Sequence, residues 1–195
     1  MMPRINISRV PPHLQTHPNF LQQLRIMESR LSKEDYLEMF AIHEYGHEHY
    51  FHEAGSSSFE YVPPFIAYDE NSKDNPFPRQ WAQIKMLDYT QPEGEDWLLK
   101  LAKGYAAGGE CTLAFTTADD SGAKFDRECW YEMCRDCYKD DLSCTKEEIE
   151  AIAEETWTKA RTAVRLELKH KALEVKIRAG AKKIMPQLFP WIRFS

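Results

Sequence analysis

The chain has 195 residues, a net charge of −6 and 43% hydrophobic content with five tryptophans. That is enough for one domain burying roughly 70% of its unfolded surface, and too apolar for intrinsic disorder. The acidic balance excludes a broad nucleic-acid footprint, the one basic stretch lying near 165–183. No run approaches the ~18 apolar residues of a membrane span, and Met1-Met2-Pro3-Arg4-Ile5-Asn6 lacks an apolar leader core. Five clustered cysteines, an odd number, fit a reducing cytoplasm better than a disulfide framework.

Residues 1–17, with Pro3, Pro11 and Pro12, read as an irregular arm, and 19–31 as a short helix. Together 1–31 form an N-terminal extension, ahead of a single helical domain over 32–195. Ser32-Lys33-Glu34-Asp35 has the form of a capping box, and a helix is expected over 33–54, with Gly55 placed to stop it. Tyr36, Phe40, His43, His47, Tyr50 or Phe51, and Ala54 share its inward stripe. From 55 to 94 short extended pieces are expected, among them 82–86, where apolar and polar residues alternate as in a half-buried strand. Trp97, Leu98, Leu101, Ala102, Tyr105 and Ala106 restore a helical stripe. A third helix is expected over about 121–140. A long fourth opens at the capping box Thr145-Lys146-Glu147-Glu148, runs to about 179 and is punctuated by Gly180. The tail, Pro186-Gln187-Leu188-Phe189-Pro190-Trp191-Ile192-Arg193-Phe194, is apolar and must dock on its own domain or on a partner. The fold class is mainly α (α+β), with a small β element beside the helix that carries the histidines.

That helix holds the string His43-Glu44-Tyr45-Gly46-His47. Histidines four apart on a helix are separated by about 6 Å of rise and about 40° of rotation, so both imidazoles reach one ion from one face. Glu44 is rotated about 100° from His43, close enough to approach a water at the same ion. Two neutral imidazoles with a carboxylate as general base are the parts of a hydrolytic zinc site. One inward histidine is more often a hydrogen-bonded core residue; two at this spacing with Glu between favour a metal. His49 and His52 lie about 200° and 140° around the helix from His47 and are expected on its solvent side. A catalytic site needs a third protein ligand from elsewhere.

Three segments resemble the peptidase domain of FtsH-type ATP-dependent zinc metalloproteases. They are Phe40-Ala41-Ile42-His43-Glu44-Tyr45-Gly46-His47, Leu101-Ala102-Lys103-Gly104-Tyr105-Ala106-Ala107 and Thr116-Thr117-Ala118-Asp119-Asp120. The resemblance covers about 33–178. It implies a zinc metallopeptidase with His43 and His47 as ligands, Glu44 as the catalytic base and Asp120 as third ligand, with Asp119 as the alternative. Position at a helix N-terminus favours Asp120 and helix phase onto Ala123 favours Asp119; both would also serve as simple N-caps. The chain departs from the family in lacking a Gly-x-x-x-x-Gly-Lys-Ser/Thr loop, and with it the ATPase. Gly108-Gly109 stand where the family carries acidic residues, with Glu110 displaced.

The implied cofactor is Zn²⁺ and the implied partner a protein or peptide substrate. A homo-oligomer or a separate ATPase remains open as a further partner. Two rival readings accompany this one: a regulatory metallopeptidase similar to the ImmA/IrrE type, and an inactive interaction domain of the same shape. Cys129, Cys134, Cys137 and Cys144 have a spacing superficially like a second metal site. Cys129, Met133 and Cys137, however, share one helix face, as small buried hydrophobes do.

Overall fold

The computed structural model describes residues 4–10, 12–16, 18–30, 36–63, 83–88, 96–118, 122–139 and 144–193. It is mainly helical, in the α+β class, with small antiparallel strand pairs beside the helices. β1 (Arg4–Ile5), a 3-10 turn (Ile7–Arg9), α1 (Pro12–Gln15) and α2 (Pro18–Arg30) come first. The arm is therefore not irregular throughout. Val10, Leu14, Phe20 and Leu24 are buried in one core with the tail residues Phe189, Trp191 and Ile192. β1 pairs with β4 (Ile192–Arg193), Ile5 opposite Ile192, and the Asn6 N–H donates to the Trp191 carbonyl at 2.6 Å. The apolar tail thus docks on its own domain.

α3 (Tyr36–Glu53) runs through the middle of the fold, with Ser32–Asp35 outside the described residues. It ends in a Schellman motif. Gly55 takes φ 101°, a conformation that side chains with a Cβ resist. Its N–H donates to the His52 carbonyl (3.1 Å) and that of Ser56 to the Phe51 carbonyl (2.9 Å).

α3 is packed against α4 (Trp97–Phe115) and against α7 (Lys171–Leu188), so burial is not confined to one stripe. Phe40, Ala41, Ile42, Gly46 and Tyr50 are all buried, and so is His49. The solvent-side expectation for His49 is corrected, because α7 covers that face. Its Nε2 lies 3.5 Å from Glu53. His52 is exposed, as expected. Fully burying a residue such as Ile42 is worth roughly 1.5–3 kcal/mol, so this packing fixes α3 firmly.

β2 (Phe59–Val62) pairs antiparallel with β3 (Gln83–Met86), where the alternating pattern anticipates a strand. Asp88 ties this pair to the end of α3, accepting from the Ser57 and Ser58 N–H groups (3.0 and 2.8 Å) and the Ser56 hydroxyl. α5 (Ala123–Tyr138) follows, then α6 (Lys146–Glu167) behind the Thr145 and Glu148 capping box, both halves of which form.

The expected long fourth helix is two helices. The chain turns at Leu168–His170, burying Leu168, so that α6 lies on α4 while α7 lies on α3. Gly180 is not a stop; it sits inside α7 under the Tyr45 ring, where an added Cβ would meet the ring at 1.9 Å. Among the described residues no helix is long and apolar enough to cross a membrane.

Candidate metal centre

His43 and His47 project from one face of α3 toward α4 and α5. α4 comes close because glycines face the rings: a Cβ on Gly108 would stand 2.3 Å from His47 Nε2 and 2.8 Å from His43 Nε2. On the α5 side a Cβ on Gly122 would stand 2.4 Å from His43 Cε1. Phe51 stacks on the far face of His47, with centroids 6.0 Å apart and planes inclined 19°. The Nε2 atoms are thereby brought to 3.2 Å from each other. Their Nδ1 atoms face α4: His47 Nδ1 is 2.7 Å from the Gly104 carbonyl and His43 Nδ1 is 3.2 Å from Thr112 Oγ1.

The carboxylate that meets them is Asp126, from the first turn of α5. Oδ2 lies 3.4 Å from His43 Nε2, and Oδ1 lies 3.4 Å from His47 Nε2. Asp126 is buried, and its Oδ2 has no hydrogen-bond partner. α5 is phased by Ala123, Trp130 and Cys134, which are buried with Asp126 on one face. Trp130 Nε1 donates to the Ala153 carbonyl of α6 at 2.9 Å, and this pins the helix rotation that aims Asp126.

His43, His47 and Asp126 offer ligand atoms within 4.8 Å of one another, a group that can hold a metal ion. Two imidazole nitrogens and one carboxylate oxygen suit a borderline divalent cation, and three protein ligands leave room for more. A buried carboxylate is costly unless something positive meets it, and the Nε2 atoms of both imidazoles face this one. The residues fit a metal.

His43 and His47 are placed together as the sequence predicts. Asp119 and Asp120 lie outside the described residues. Sequence reasoning missed Asp126, whose signal was an acidic residue in phase with Ala123 and Trp130. The cysteines form no such group among the described residues. The buried face of α5 holds Cys134, whereas Cys137 is exposed and Cys129 half-buried, so the Cys129/Met133/Cys137 face is not the buried one. Glu110 turns away to α6, where it is buried between Arg161 and Arg165.

Glu44 lies beside this group, buried, with Oε2 accepting the Ile84 N–H of β3 at 2.7 Å. Burial pushes its carboxyl above the usual range, and the facing His43 and His47 oppose that rise. For His47, burial opposes the charged form, yet the adjacent Asp126 outweighs it and pushes the imidazole up to about 9. Asp126 is raised by burial but held well below the ordinary carboxylate range by His47 and His43. In metal-free protein a proton on His47 therefore balances Asp126.

The sign follows by linkage. The raised His47 contributes stability that is complete below about pH 6.5 and is lost as pH climbs through about 9. The depressed Asp126 contributes above about pH 4, and that share is lost on acidification. The pair's contribution to the stability of metal-free protein is expected to be greatest between about pH 4 and 6.5 and to fall by on the order of 3 kcal/mol by about pH 9.5. Urea unfolding across that range checks this; an alkaline loss of the same size in Asp126→Asn would detach it from the His47–Asp126 pair.

No protein-family profile, curated protein or solved structure matches the chain.

Proposed function

We propose that the chain is a zinc-dependent metallopeptidase, the activity implied by its resemblance to the FtsH-type peptidase domain. The observation that carries the reading is the convergence of His43, His47 and buried Asp126, whose ligand atoms lie within 4.8 Å of one another, with the Glu44 carboxylate beside them. His43, His47 and Asp126 would hold the ion. When bound, zinc supplies Lewis acidity, bringing water within reach of deprotonation near neutral pH and drawing electron density from a carbonyl oxygen. Glu44 would take the proton from the attacking water and return it to the leaving amine.

A peptide substrate suits the neighbouring strand. The Ile84 N–H points away from β2, toward Glu44, and by the alternation of an antiparallel pair the Met86 backbone shares that edge. An extended backbone can add along such an edge. The nucleotide-driven unfolding of the FtsH-type family is not part of the proposal, since no phosphate-binding loop accompanies the site. Metal analysis of the purified chain is expected to find about one zinc per chain. Hydrolysis of an unstructured protein should stop with a chelator and return on adding zinc. Metal-free protein that hydrolyses peptides at an undiminished rate would sink this reading.

A further inference from the structure

From the geometry behind the imidazoles we infer that Thr112 is a positioning residue that sets the tautomer of His43, and so presents its Nε2 to the metal. The inference rests on the metal reading above. A neutral imidazole has one N–H and one lone pair, and only the lone pair can bind a cation, so whatever fixes the other nitrogen decides whether the ligand is ready. Metal-binding histidines commonly give that N–H to a carboxylate, a carbonyl or water. The two histidines here differ in their backing. His47 Nδ1 faces the Gly104 carbonyl, which can only accept, so that position is protonated by necessity of the backbone. His43 Nδ1 faces a hydroxyl, which could either donate or accept.

The hydroxyl's own bond resolves the ambiguity. Thr112 Oγ1 donates its single proton to the Gly108 carbonyl at 2.9 Å, the i−4 position on α4. With that proton committed, the oxygen facing His43 at 3.2 Å can only accept. His43 Nδ1 must then carry the hydrogen, and its lone pair is left on Nε2, on the side of Asp126 and His47. Thr112 is buried, so no competing water relaxes the assignment cheaply. Gly104, Gly108 and Thr112 lie at i, i+4 and i+8 on α4, one row facing α3. Gly104 fixes one imidazole, Gly108 orients the hydroxyl and leaves space for both rings, and Thr112 fixes the other imidazole. An acidic residue is therefore not needed behind the ligands, and Glu110, the nearest in sequence, is committed to Arg161 and Arg165. Asp126 remains the one anionic member of the group.

The experiment compares Thr112→Val, which keeps the shape and removes the hydroxyl, with Thr112→Ser, which keeps the hydroxyl and removes a methyl. Zinc affinity is measured by competition with a chromogenic chelator. The ring N–H signals of ¹⁵N-histidine-labelled, zinc-loaded protein are recorded alongside. The Val variant is expected to bind zinc roughly 10- to 100-fold more weakly and to lose the slowly exchanging His43 Nδ1–H signal while keeping that of His47. The Ser variant should stay within about threefold of the parent and keep both signals. Equal affinity of parent and Val variant overturns the inference while leaving the metal reading intact, as does a Ser variant as weak as Val. A parent chain that takes up no zinc brings down the metal reading itself, and is seen before any variant is made.

Discussion

Asp126→Asn is expected to strip the chain of its metal, while Asp119→Asn and Asp120→Asn retain it. Asn keeps the volume of the side chain, and so the packing of α5 around Trp130, but removes the charge with which Asp126 would hold a cation. In a buried site the loss of one partner of a charged contact costs about 3–5 kcal/mol, equivalent to roughly 10²- to 10⁴-fold in affinity. Two imidazoles alone then remain, short of the three protein ligands of a catalytic site. Metal content after dialysis at fixed free zinc, with circular dichroism to monitor the fold, gives the answer. Retention of zinc by Asp126→Asn together with its loss from Asp120→Asn would return the third ligand to the position implied by the FtsH-type resemblance. The comparison is sharp because Asp126 Oδ2 and Oδ1 stand 3.4 Å from the Nε2 atoms of His43 and His47.

His43, Glu44 and His47 were legible because their relation is local: helical geometry alone puts the imidazoles on one face, and five consecutive residues contain the information. Asp126 was not, because it comes from another helix and its relation to α3 is tertiary. Its phase was readable in principle from Ala123 and Trp130, but the sulfur residues Cys129, Met133 and Cys137 suggest a face displaced by three positions, and burying Trp130 decides the matter. The same distinction separates the other elements. The Thr145 capping box and the Gly55 stop are short-range devices, and both form as read. The turn at Leu168–His170 carries neither Gly nor Pro; it exists because α6 and α7 pack on different helices, a demand invisible along the chain. His49 is buried for a related reason: one inward stripe presumes one buried face, and α3 has neighbours on two.

Glu44→Gln is expected to keep the metal and lose hydrolysis by roughly 10²- to 10⁴-fold, the usual worth of a positioned general base. Gln can still accept the Ile84 N–H through its amide oxygen, so the contact between α3 and β3 survives and the variant should fold and bind zinc like the parent. What it lacks is a lone pair able to take a proton from water. Glu44→Asp distinguishes basicity from reach: it keeps a carboxylate but withdraws it by one methylene, so its bond to Ile84 must lengthen or break. If Glu44 acts as a base held in place by β3, the Asp variant recovers only part of the lost rate, and its deficit appears in kcat more than in KM. Zinc-loaded Glu44→Gln with the parent's kcat would remove Glu44 from the chemistry and leave its bond to Ile84 as a purely structural link.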